Sequence, residues 1–224
     1  MTALKKLHPK GENPAPMPHR ETVRFSPDVV RKALSSLPPK SAAGLIGYKP
    51  LLLQECMRAE SFSFERVLTT AVNDFACGLA PKFFRKYVAG RVSIALEKSQ
   101  TAVRPLACGD PIRRLVAKCF LVAGHEEVSK AFAGRNYGVG CPGGVEVVTH
   151  SLRDALNKHK GSKLGLLKID FRNAFNLIKR THFVKSARET VTTSDGMVLW
   201  GFLYFCMIMS LLSRPVTEFN KEIL

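Results

Sequence analysis

Two hydrophobic periods divide this chain. From about Phe64 to Cys77, the apolar residues Phe64, Val67, Leu68, Ala71, Val72, Phe75 and Ala76 keep the spacing of one helical face, and Gly78 and Pro81 supply a stop. Upstream, Ser26-Pro27 reads as an N-cap followed by proline at the first helical position. This predicts a helix to about Ser36, closed by Pro38-Pro39 and followed by a loop at Ser41–Gly44. Before it, Met1 to about Arg24 is rich in Pro, Lys and His without any period, the pattern of a mobile leader.

At Arg91 the period changes to two. Val92, Ile94 and Leu96 alternate with Ser93, Ala95 and Glu97, as in a half-buried strand. Lys98–Ala102 reads as a turn and Val103–Cys108 as the returning strand of a hairpin. Asp110-Pro111 repeats the cap-and-proline signal and opens a helix through Ile112, Leu115, Val116, Cys119 and Phe120. Gly138–Gly144 is a glycine-rich loop, with a helix expected near Val145–Lys158. Leu164–Asp170 is mostly apolar and short, as expected of a buried strand. No internal repeat is visible, and the mixed order of helices and strands predicts an α+β fold.

Charge narrows the range of partners. Thirty-four Lys and Arg against eighteen Asp and Glu give a net charge of +16, a field that favours polyanions. The excess concentrates at Lys82–Arg91, Arg104–Lys118 and Lys158–Lys168 rather than in one tail, which favours a folded basic groove. The six cysteines are far apart, with no Cys-x-x-Cys pair and no zinc-like spacing. Met1–Lys10 has no apolar core suited to a secretory signal. The expectation is free, mostly buried thiols in an intracellular protein, cytoplasmic or nuclear and not secreted.

Two segments invite chemistry. Gly138-Val139-Gly140-Cys141-Pro142-Gly143 spells a dinucleotide fingerprint, but a helical-looking segment precedes it and Pro142 interrupts it, so a flexible loop before a helix is the better reading. Lys168–Asn176 is different. An Asp at the end of a buried strand costs free energy unless it is paired or binds a metal. Asp170 there suits a Mg²⁺ ligand, while its spacing suits equally the cap of a following helix.

Taken together, Arg104-Pro105-Leu106-Ala107-Cys108-Gly109-Asp110 with Arg113-Arg114-Leu115, the Gly138–Gly144 loop with Glu146, and Lys168–Asn176 resemble the fingers motif, the glycine loop and palm motif A of non-LTR-type reverse transcriptases. The resemblance spans roughly residues 40–188. It implies part of a right-hand polymerase, incomplete. Residues 1–25 would be a basic leader, 26–90 a helical N-terminal region, 91–189 the fingers and the start of the palm, and 190–224 a divergent apolar tail. Carried over, Asp170 would be the catalytic carboxylate and, with the carbonyl of Phe171, a Mg²⁺ ligand. Phe175 would select deoxynucleotides, Asn173 and Ala174 would line the sugar pocket, and Arg104 would meet the triphosphate, with Lys98 as a second contact. Arg113 and Arg114 would follow the template backbone or face water. The implied partners are an RNA template, a DNA primer and a deoxynucleoside triphosphate.

The family's Gln-Gly-Asp-Pro and Tyr-x-Asp-Asp motifs are not present, so the expected activity of this chain alone is weak nucleic-acid binding rather than polymerisation. From about Thr190 the text changes, and Met197–Leu212 is almost entirely apolar. It reads as a buried helix, a marginal membrane segment or a stretch from an intron or shifted frame, and the abrupt end of the family pattern favours the last. No stable membrane association is expected. Two rival expectations are a non-catalytic RNA- or DNA-binding protein derived from such an enzyme, and a membrane-associated protein anchored by 197–212.

Overall fold

Ser26 starts the first helix as its spelling predicts. In the computed structural model, which describes residues 24–59, 62–99, 102–161, 165–171 and 177–192, its hydroxyl accepts from the Val29 amide at the head of α1 (Pro27–Ser35). The helix buries Val30, Ala33 and Leu34. The carbonyls of Leu34 in its last turn and of Leu37 just beyond it both accept from Gln54, whose Nε2 donates to each at 2.9 Å. Gln54 belongs to α2 (Pro50–Arg58), an element the hydrophobic pattern did not announce. Leu51 and Leu52 face solvent while Leu53 packs on the core, so the run has no clean stripe.

Helix α3 (Phe62–Ala76) buries Leu68, Val72, Phe75 and Ala76, but Val67 is 62% exposed, so its apolar face is narrower than the sequence predicts. Asn73 ties this helix to the segment before α1: its side-chain oxygen accepts from the Phe25 amide at 2.7 Å, and its Nδ2 donates to the Phe25 carbonyl at 3.0 Å. Gly78 ends the helix at φ +69°, a left-handed conformation that favours glycine. The turn is braced by Arg85 of α4 (Lys82–Ala89), which donates to the carbonyls of Ala80 and Gly78. Helix α4 also escaped the sequence reading, which saw only its charge.

The chain leaves the helical layer at Gly90, forms an antiparallel hairpin from β1 (Arg91–Ser99) and β2 (Ala102–Gly109), and returns at Asp110. Arg91 pairs with Gly109, Ile94 with Leu106 and Leu96 with Arg104, and the register shifts between Glu97 and Ser99. Ile94, Leu96 and Leu106 are exposed, which corrects the expectation of a half-buried strand. Among the ribbon residues whose burial is described, those at its base, Arg91, Val92, Cys108 and Gly109, are half-buried.

Helix α5 (Pro111–Ala123) then buries Ile112, Leu115, Val116, Cys119 and Phe120. It lies against α1, α3 and α4, and Phe120 meets Phe25 edge-on with ring centroids 4.9 Å apart. The core therefore draws on chain from both sides of the hairpin, with Val88 and Ala89 of α4 completing it. Burial pushes the Cys119 thiol up to about 12, as expected of an inert core cysteine.

Beyond α5 lie α6 (His125–Phe132), α7 (Gly144–Lys158) and α8 (Arg180–Thr192). Gly144 is fixed by space: a Cβ there would lie 1.8 Å from the Tyr137 carbonyl oxygen. A second correction falls between α7 and α8. Of the expected buried strand Leu164–Asp170, residues 165–170 adopt no regular structure, and Leu167 is 82% exposed. A buried strand satisfies its amides through neighbours, and the only sheet among the described residues is the two-stranded hairpin. The α+β class stands.

Cys56, Cys77, Cys108, Cys119 and Cys141 are free thiols, as expected, but only Cys77 and Cys119 are buried. Among the described residues no helix is long and apolar enough to cross a membrane. Residues 1–23, Leu164, Cys206 and Met197–Leu212 lie outside the described residues. Phe25, expected at the end of a leader spanning 1–25, is instead buried in the core and held by Asn73, so the fold already includes Phe25.

Leu115 and Leu167 give a direct check on where the core lies. Leu115→Ala is expected to cost about 2–5 kcal/mol in urea unfolding. Leu167→Ala is expected to change stability by less than about 0.5 kcal/mol. Equal effects would contradict this placement of the core.

Candidate nucleic-acid interface

The foot of the hairpin is organised by Asp110. Its side chain caps α5, with Oδ1 accepting from the Ile112 amide at 2.9 Å and from the Tyr48 hydroxyl at 2.7 Å. Asp110 is fully buried, and Gly44 approaches so closely that a Cβ there would lie 2.4 Å from its Cα. Desolvation raises the Asp110 pKa above the ordinary carboxylate value, and the hydrogen bonds from Tyr48 and Ile112 and the charge of Arg114 oppose the rise. Tyr48 is raised as well, first by burial and then by its bond to Asp110.

The two arginines in the first turn of α5 continue this lock. Arg113 donates to the Ala89 carbonyl at 2.9 Å, joining α5 to the end of α4. Arg114 donates to the Ser41 hydroxyl at 2.9 Å and the Ala42 carbonyl at 2.6 Å, holding the loop after α1. Both are partly buried. At least part of each guanidinium therefore organises protein backbone rather than a template, and Arg85 is used in the same way at the turn before α4.

Exposed positive charge lies elsewhere, at Lys32, Lys40, Lys49 and Arg66 in the helical layer, at Lys130 and Arg135 around the end of α6, and at Arg153, Lys158, Lys160 and Lys168 along and beyond α7. Arg31 is paired with Asp28 and Glu65. Lys158 is paired with Asp154 at 2.7 Å, an exposed contact of little energetic weight. Of the other residues expected in a site, Lys98 lies in β1 at the register shift, and Arg104 lies in β2 across from Leu96. Asp170 and Phe171 are exposed in the irregular segment. Asn173, Ala174 and Phe175 lie outside the described residues.

A Mg²⁺ centre of the polymerase kind needs carboxylates converging on the ions. Asp170 is a single exposed carboxylate on irregular chain, and among the described residues no three His, Cys, Asp or Glu side chains come together to hold a metal. The described residues do not fit that group, and no catalytic step is assigned through it.

Sequence reasoning identified Asp110 as a cap but missed its partners. Tyr48 is 62 residues away in sequence, and Ser41 is 73 from Arg114. Nothing local in either stretch signals those contacts.

No family model, curated protein or solved structure matches this chain.

Two substitutions at Asp110 separate its roles. Asp110→Ala removes the cap and orphans the Tyr48 hydroxyl, and is expected to cost about 1–3 kcal/mol. Asp110→Asn keeps an oxygen for both donors and should cost less. In the wild type the native state holds the Asp110 proton to higher pH than the unfolded state does. This contribution to stability is thus full below the ordinary value of 3.8 and is lost as pH rises through the raised native one. Asp110→Asn should remove that component from urea midpoints measured across the acidic range. An unchanged pH dependence would refute it.

Proposed function

We propose that this chain is the nucleic-acid-binding, fingers-like part of a retroelement-type RNA-directed DNA polymerase, gripping a template–primer backbone. The observation that carries the reading is the hairpin. The Arg104–Asp110 segment, whose text resembles the fingers motif, forms the second strand of a ribbon that stands out from a helical base and ends on a buried lock. Its net charge of +16 supports a polyanionic partner. In the full reaction expected of such enzymes, a primer 3′-hydroxyl attacks the α-phosphate of a deoxynucleotide. The part proposed for the described residues is binding, in which Arg104 contributes a guanidinium whose fork of donors suits phosphate oxygens.

The test is fluorescence anisotropy with a labelled RNA–DNA template–primer over a range of salt. If about six phosphates are neutralised, affinity should fall roughly 10³-fold between about 50 and 200 mM salt. Arg104→Ala should weaken binding across sequences and reduce the log–log salt slope by about one. Binding that is flat with salt, or no binding at low salt, would overturn the proposal.

A further inference from the structure

Helix α7 carries an apolar stripe that the described fold leaves uncovered. Val145, Val148, Leu152 and Leu156 follow one another at intervals of three, four and four residues, which keeps them on one face. All four are exposed, Val145 at 79%. The helix is tied down at its start, where Gly144 is buried under Tyr137, but it is not among the elements that pack closely on one another. A helix of this length is marginal in water when its stripe is unburied, because packing supplies most helical stability. A continuous exposed stripe is the usual mark of an association surface.

The charges beside the stripe point to its partner. At 100° per residue, Glu146 and Arg153 lie on the same flank of the stripe, one near each end. A two-fold axis that pairs two copies of α7 antiparallel brings like flanks together. With the axis level with the turn between Thr149 and His150, Glu146 of each copy lies abreast of Arg153 of the other, so both ends of the contact gain an opposite-charge pair. In this register the apolar residues alternate rather than collide. Leu152 of the second copy comes between Val145 and Val148, its Val148 between Val148 and Leu152, and its Val145 between Leu152 and Leu156. Asp154 and Lys158 are already paired with each other, away from this flank.

We propose that α7 is a self-association surface, pairing antiparallel with α7 of a second copy of this chain through Val145, Val148, Leu152 and Leu156 and two reciprocal Glu146–Arg153 ion pairs. The contact is isologous, so the same residues serve both partners and the assembly closes at two.

The test uses the full chain, with mass followed by sedimentation equilibrium and helix content by circular dichroism. The wild type should show a monomer–dimer equilibrium. Glu146→Arg places arginine opposite arginine, and Arg153→Glu places glutamate opposite glutamate, so each variant alone should shift at least tenfold toward monomer with its helix content retained. An equimolar mixture of the two variants restores both opposite-charge pairs and should recover dimer mass, as should the double variant E146R/R153E. A wild type that stays monomeric, single variants with unchanged mass, or a mixture that stays monomeric would each overturn the proposal. In the last case the stripe belongs to residues of the same chain or to a different partner. If a single variant loses helix content, the mixture still decides, since recovery of dimer mass requires the reciprocal pairs.

Discussion

The described structure depends most on one buried carboxylate. Asp110 stands where the hairpin ends and α5 begins, and its Oδ1 accepts at once from the Ile112 amide and the Tyr48 hydroxyl. The first bond fixes the start of the helix that supplies the largest part of the core. The second holds the loop after α1 against that helix, 62 residues away in sequence. Gly44 allows the approach, because any side chain there would collide with the Asp110 backbone. A buried acid is costly unless hydrogen-bonded, and its raised pKa is the residue of that cost after two bonds and the charge of Arg114 have offset part of it.

This arrangement settles how the chain's positive charge divides. Arg85, Arg113 and Arg114 donate to Ala80, Gly78, Ala89 and Ala42 carbonyls and to Ser41, closing turns and loops around the core. Such roles suit arginine, whose several donors can reach more than one acceptor at once. A basic composition is therefore an imperfect measure of a polyanion-binding surface. The charge that matters for a partner is what remains after these bonds, and among the described residues it is spread over the helical layer, the end of α6, the C-terminal side of α7 and the start of α8.

Elements with local signals were legible. Ser26-Pro27 and Asp110-Pro111 each put a short oxygen acceptor before a proline, and the helices start at those prolines. The two-residue alternation after Arg91 found the hairpin, and Gly143-Gly144 marked the start of α7. Burial was less legible than secondary structure. Val92, Ile94 and Leu96 alternate as a half-buried strand should, yet Ile94 and Leu96 are exposed, because periodicity reports which residues share a face and not whether anything covers it. Helix α2 was missed for the same physical reason: it buries a few side chains against partners supplied by distant chain and carries no full stripe of its own. Helix α4 is only eight residues long, and Phe84 and Val88 on its inner side are too few to announce a period.

The candidate catalytic residue shows the same limit at the level of function. Asp170 follows Leu166, Leu167 and Ile169, a run apolar enough to be a central strand, and a carboxylate at the tip of such a strand would be held rigidly in place. Rigidity of that kind comes from the ladder on either side rather than from the run itself. Among the described residues the run has no neighbouring strand, so its side chains are exposed and Asp170 rides on irregular chain. Metal chemistry tolerates little play in its ligands, because several carboxylates must reach the same ions at once. A role for Asp170 as a ligand therefore depends on strand pairing along Leu164–Asp170. The hairpin, proposed as the binding surface, does not share that dependence, since its foot is already locked by Asp110, Tyr48 and Arg114.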